Sequence, residues 1–183
     1  MSTIVISRNT LVVMIGAAGC GKSTFAAKHF LPTQIVSSDE CRALVFDDPT
    51  NQSVSGHAFD LMHFIIERRL LLGRTTVADA TNLKRENRKT LQKIARWYGF
   101  NTAAIVFNMR LETCIERNAN RARVVPEDAL RLQYELLERT LETINHEGFD
   151  YVFILDETAQ ANVSITIGRA INRRPAPTAP SQQ

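Results

Sequence analysis

The sequence predicts one α/β domain: a five-stranded parallel sheet flanked by helices. Two observations carry that prediction. Short apolar runs alternate with helical patterns along the chain, and a glycine-rich turn joins the first run to the first helix. Size agrees: 183 residues, 44% hydrophobic and 22% charged, fit a globular domain that buries its core without staples.

The elements follow in order. LVVMI (11–15) is a continuous, β-branched apolar run, the pattern of a strand buried on both faces. Residues 23–30 read as a helix, QIVSS (34–38) as a second strand and 40–46 as a short helix. AFDLMHFIIERRLLL (58–72) has one broad apolar face, and Gly73 ends it. TTVADA (75–80) is a third strand, followed by a helix over 83–98 that closes at Gly99. TAAIVFN (102–108) is the fourth strand. A helix over 112–120 runs into the basic break RAR (121–123). Pro126 suits a first helical position, with Glu127 and Asp128 in that turn, and this helix extends to about 146. DYVFIL (150–155) is the fifth strand. A weaker pattern predicts a last helix over 159–172. RRPAPTAPSQQ (173–183) reads as a tail or linker, leaving 1–172 as the domain. No internal repeat is present.

Composition excludes collagen, disulfide scaffolds and wholesale disorder. No run of 18 apolar residues exists, which excludes a transmembrane helix. The N-terminus lacks the charged and apolar regions of a secretory signal. Cys20, Cys41 and Cys114 are odd in number and share no metal-ligand spacing, so reduced thiols in the cytoplasm are expected. A net charge of +3 permits a nucleic-acid partner without demanding one.

Gly16-Ala17-Ala18-Gly19-Cys20-Gly21-Lys22-Ser23 fits G-x-x-x-x-G-K-[ST] in full, between a strand and a helix. Glycines let successive backbone N–H groups converge on an anion, and the helix N-terminus adds its dipole. Gly16, Gly19, Cys20, Gly21, Lys22, Ser23 and Thr24 are the expected nucleotide contacts. Lys22 is expected on the β- and γ-phosphates of ATP and the Ser23 hydroxyl on Mg²⁺. The motif establishes triphosphate binding, not transfer. No N-K-x-D motif marks a GTPase, and motor ATPases are usually larger.

Transfer needs an acceptor side. Asp39 follows the second strand, at the carboxyl end where ligands bind, and can serve as general base. Arg42 shares its helix face and can grip an acceptor phosphate. The alternative makes Asp39 the cap of helix 40–46 and Arg42 its surface ion partner, unless Ser38 is the cap. Asp79, after the third strand, can orient water on Mg²⁺. Thr81 and Asn82 can bond an acceptor or cap helix 83–98. Arg117, Arg121 and Arg123 fit either a lid that closes over the triphosphate or a solvated basic turn. His57 and His63 read as structural or surface groups, and Trp97, Tyr98 and Phe100 as core.

The segments GAAGCGKSTFAAKHF, SSDECR, DATN, ERNANR and HEGFDYVFIL resemble the polynucleotide 5′-kinase domain of bacterial polynucleotide kinase-phosphatases, over Leu11 to Leu155. S-S-D-x-x-R after the second strand is the telling motif. The resemblance implies a P-loop phosphotransferase fold, ATP as donor and a nucleic-acid 5′-OH as acceptor, in nucleic-acid end healing. It implies Asp39 as general base, Arg42 on the acceptor's phosphate, Lys22 and Ser23 on ATP and Mg²⁺, and Arg117 and Arg121 in the lid. Arg123 matches less closely, as do Asp79 and Asn82. Phosphatase and ligase modules are the implied associates. Arg110 departs from the family, which often has proline there. The rival readings are a small-metabolite kinase, for instance of a sugar acid, and a module that binds ATP without transferring phosphate.

Overall fold

The computed structural model describes residues 2–121 and 123–169. Its strands are β1 (Ser2–Ser7), β2 (Thr10–Ile15), β3 (Ile35–Ser37), β4 (Thr76–Asp79), β5 (Asn101–Phe107), β6 (Tyr151–Leu155) and β7 (Val163–Gly168). Its α-helices are α1 (Lys22–His29), α2 (Ser38–Phe46), α3 (Ser55–Leu71), α4 (Arg85–Trp97), α5 (Leu111–Ala119), α6 (Glu127–Thr143) and α7 (Glu157–Asn162).

The five expected strands form one parallel sheet in the order β3-β4-β2-β5-β6. β2 therefore lies at the centre, next to β4, and the turn after it opens at the middle of the carboxyl edge. Alternation along β2 explains its unbroken apolar run. Val12 and Met14 join a core with Phe25 of α1 and Cys114 of α5. Leu11, Val13 and Ile15 join the opposite core with Met62 and Ile66 of α3 and Leu91 of α4. Helices cover both faces, so both sets of side chains are buried. In α3 the buried positions Ala58, Met62, Ile66 and Leu70 recur every four residues, one stripe of a helix.

Two expectations are corrected, one at Trp97, which ends α4 exposed and not in the core, and one near the C-terminal end of the domain. The helix predicted over 159–172 ends at Asn162, and Val163–Gly168 is a strand. That strand pairs in parallel with β1 in a separate two-stranded sheet, from Ser2↔Val163 to Ser7↔Gly168. Ile4 and Ile6 of β1 and Val163 of β7 bury into the first core, which offsets the weak local preference for strand. The expected tail 173–183, and the last three residues of that expected helix, lie outside the described residues. Among the described residues no helix is long and apolar enough to cross a membrane.

Candidate active site

The phosphate loop runs from the end of β2 into α1, with Gly21 left-handed at φ 90° as the residue before the helix. Gly19 is also left-handed, at φ 77°, and a Cβ there would fall 2.3 Å from the carbonyl oxygen of Cys114. Only glycine lets the loop lie this close to α5. Lys22 is buried, and its Nζ donates to the carbonyls of Gly16 at 2.9 Å and Ala17 at 2.7 Å. Two glutamines absent from the sequence expectations brace the loop. Gln133 of α6 accepts from the Ala18 N–H at 2.8 Å, and Gln160 of α7 donates to the Cys20 carbonyl at 3.2 Å. Both contacts span more than 110 residues of sequence, and no local signal marks them.

Loop, strand ends and arginines enclose a cavity of about 1040 Å³, lined among others by Gly19, Gly21, Lys22, Ser23, Thr24, Asp39, Arg42, Asp79, Arg117, Arg121 and Arg123. Ser23 and Thr24 are exposed to it. Three expected contacts are not on its wall. Gly16 contributes its carbonyl as a seat for Lys22. Cys20 is fully buried, its Sγ 3.5 Å from the Lys22 Nζ. Asn82 faces the interior at φ 48°, its amide donating to the Met14 carbonyl at 2.8 Å. Asn82 thus ties β2 to the segment after β4 instead of meeting an acceptor. It does not cap α4 either, which starts at Arg85 after an uncapped Lys84. Thr81 lines the cavity, and its carbonyl accepts from the Gly16 N–H at 3.0 Å.

Asp79 sits at the carboxyl end of β4, beside β2, buried and hydrogen-bonded to the Ser23 side chain. Burial raises its proton affinity above the ordinary aspartate range; Ser23 and the Lys22 charge pull the other way. Hydroxyl, buried carboxylate and open cavity form a hard-oxygen set that fits Mg²⁺, an ion needing few protein ligands.

On the other wall, the cap question resolves in favour of Ser37. Its hydroxyl accepts from the N–H groups of Asp39 at 3.2 Å and Glu40 at 3.4 Å. Neither Asp39 nor Ser38 is the cap. The signal was present: Ser37-x-x-Glu40 is a capping-box spacing. The Asp39 carboxylate is half exposed toward the cavity, and its Oδ1 accepts from Arg42 and, at 3.1 Å, from Arg123. Arg42 is no surface partner: its side chain is 6% exposed, and its Nη1 also donates to the Pro49 carbonyl at 3.0 Å.

The three arginines expected to act together divide. Arg117, at the end of α5, lies beside Gly21, and Arg121 acts electrostatically on Asp79. Arg123 instead meets Asp39 and the Pro49 carbonyl. Lys84 and Asn87 also line the cavity, unanticipated. Behind this wall, buried Arg88 holds the carbonyls of Asn82 and Leu83 at 2.9 and 2.8 Å and forms a two-pronged pair with Glu147.

Fold and loop define a P-loop α/β domain with the sheet order and flanking helices of the P-loop kinases. The family model of the AAA domain matches residues 11–159, and the chain belongs to that family. A chain of the Pnkp1/Rnl/Hen1 RNA repair complex has the same fold, with a TM-score of 0.64 and 22% identity over 75% of this chain and 47% of its own. This chain thus spans about half the length of that protein. A gluconokinase from Sinorhizobium meliloti 1021 superposes at a TM-score of 0.51, with 19% identity over 82% of this chain and 84% of its own. The PezAT toxin-antitoxin system of Streptococcus pneumoniae contributes a third, at 0.57, 12%, 85% and 70%. The resemblance to a P-loop polynucleotide kinase thus has a structural counterpart in its fold.

Proposed function

We propose that this chain transfers the γ-phosphate of ATP to the 5′-hydroxyl of a polynucleotide. The observation that carries the reading is the Asp39 carboxylate, gripped by Arg42, on the wall opposite a phosphate loop within one cavity.

Asp39 takes the proton from the attacking hydroxyl as its oxygen bonds the γ-phosphorus and the bond from that phosphorus to the β,γ-bridging oxygen breaks, with ADP leaving. Arg42 holds that carboxylate in place and engages the phosphate that follows the first nucleoside. Lys22 and the loop N–H groups hold the β- and γ-phosphates, with Arg117 and Arg121 meeting the charge that spreads over the transferring oxygens. Mg²⁺ held by Ser23, with Asp79 behind it, would neutralise charge between those phosphates. Lys28 and Lys84 add positive charge to the cavity wall, which suits a polyanionic acceptor over a neutral sugar. The RNA repair complex among the structural relatives supports association with end-healing modules, with 1–172 as the kinase unit and 173–183 as a linker.

The test measures kcat/KM with labelled ATP on a 5′-OH oligonucleotide of RNA or DNA, a nucleoside 3′-monophosphate, a nucleoside and gluconate. The oligonucleotides should lead by orders of magnitude. Arg42→Ala should hurt the acceptors carrying a 3′-phosphate far more than the bare nucleoside. Asp39→Asn should lower kcat by about 10²–10⁴-fold with ATP affinity kept. Preferential use of gluconate would replace this reading with the metabolite kinase. Wild-type kcat in Asp39→Asn would overturn the assigned base.

A further inference from the structure

A second cavity, of about 430 Å³, opens at the opposite, amino end of the strands. Three arginines line it. Arg8 comes from the turn between β1 and β2, Arg69 from the last turn of α3, and Arg74 from the approach to β4. Thr33, Gln34 and Thr75 add polar groups, and among the described residues no carboxylate is on its wall.

The cluster is partly built in. The Nε of Arg69 donates to the Thr76 hydroxyl and its Nη2 to the Thr75 carbonyl, each at 3.2 Å. The Thr75 hydroxyl donates to the Arg8 carbonyl, joining two of the three segments. Burial, and then the Arg74 charge, make the Arg69 guanidinium a weaker base than usual, so the two cations repel across the cavity. The C-terminal carbonyls of α3 account for a cation in its last turn. They do not account for Arg8, which arrives from another segment. Among the described residues the side chains of Arg8 and Arg74 have no hydrogen bond or ion pair. Three guanidiniums that no carboxylate among the described residues pairs with leave a site whose electrostatics an oxyanion would complete.

We infer that this cavity is a second anion site and takes a phosphate group, separate from the phosphate loop by the length of the central strand. Two sources share that chemistry: a free phosphate-bearing metabolite and the backbone of a nucleic-acid strand. The inference does not rest on the proposed reaction, since it concerns the other end of the sheet.

The experiment titrates inorganic phosphate into the isotopically labelled full chain with no nucleotide present. Amide resonances of Thr33, Gln34 and Thr75 report the site locally, whatever the phosphate loop does. Saturable shifts are expected there. Arg8→Ser combined with Arg74→Ser should weaken them by about tenfold or more, each lost cation removing a charge-assisted contact. Arg69 is kept because it holds the backbone. Unchanged spectra elsewhere verify that the variant folds. A second titration uses a single-stranded oligonucleotide: shifts at the same amides, lost in the variant and weakened by salt, identify the backbone as the source. Shifts with inorganic phosphate alone identify a metabolite. Wild-type amides that do not respond to phosphate, or respond equally in the double variant, overturn the site.

Discussion

Arg123 reaches across 84 positions of sequence to Asp39, its Nη1 lying 3.1 Å from the Oδ1 that Arg42 also holds. The contact puts Arg123 on the Asp39 carboxylate, where a place over the nucleotide was expected. A segment of the basic turn and the start of α2 are thereby joined on the cavity wall.

Arg123→Ala should therefore act on the acceptor. Both partners are partly exposed, so water screens the pair, and the loss in kcat/KM for the acceptor should be roughly tenfold. The KM for ATP should stay near wild type. Arg117→Ala with Arg121→Ala should do the reverse, lowering kcat by roughly 10³-fold or more as transferring charge loses its cations. Steady-state kinetics with each substrate varied in turn separates the two patterns. An Arg123 variant impaired mainly toward ATP would return that residue to the donor side.

Gly19→Ala should damage the loop before any substrate arrives. The new methyl meets a backbone oxygen that cannot rotate away, at a φ unfavourable to L residues. Strain and overpacking together should cost about 2 kcal/mol or more. That corresponds to a Tm drop of roughly 4–8 °C in a chain of this size. Thermal denaturation without nucleotide is the check, and an unchanged Tm would mean that α5 moves away from the loop at little cost.

What the sequence revealed was what local pattern encodes. Runs such as LVVMI and TAAIVFN show their burial, and the loop motif carries its own geometry. Asp39 at a strand's carboxyl end was legible because parallel sheets place ligands there. The β1–β7 pair was not, because its partners are separated by about the whole domain and VSITIG alone is too short to outweigh the helical pattern before it. The braces from Gln133 and Gln160, and the site of Arg123, depend on tertiary approach in the same way. Asn82 was misread because its neighbours Asp79 and Thr81 do line the cavity. Its positive φ, which turns the side chain inward, is a backbone property that DATN does not spell out.

Asn82→Ala is accordingly a stability variant. It leaves the Met14 carbonyl without its amide donor in a buried place, at a cost of about 1–3 kcal/mol. Urea denaturation should show that loss, while the acceptor KM of the folded fraction stays within about twofold, since no bound group is removed. A large rise in acceptor KM at unchanged stability would place the side chain in the cavity after all.

The pair behind the Leu83–Lys84 part of the cavity wall predicts a pH dependence. Arg88 and Glu147 are 2% and 3% exposed, and Arg88 also carries the carbonyls of Asn82 and Leu83. Burial alone would raise the proton affinity of Glu147. The Arg88 hydrogen bonds and charge, with Thr143 and Arg85, outweigh it and hold the carboxyl below the ordinary glutamate range. A carboxyl depressed in the folded state stabilises the fold above its unfolded pKa, about 4.3. That contribution disappears as pH falls through the folded value. Unfolding free energy from urea titrations should thus drop from pH 6 toward pH 3, and Glu147→Gln should flatten part of the drop. At pH 7 the same variant leaves Arg88 buried without its anion, at a cost of roughly 3–5 kcal/mol. The difference curve between wild type and Glu147→Gln should therefore be largest at neutral pH and shrink on acidification. A difference that is constant with pH would mean that Glu147 binds its proton equally well in the folded and unfolded chain.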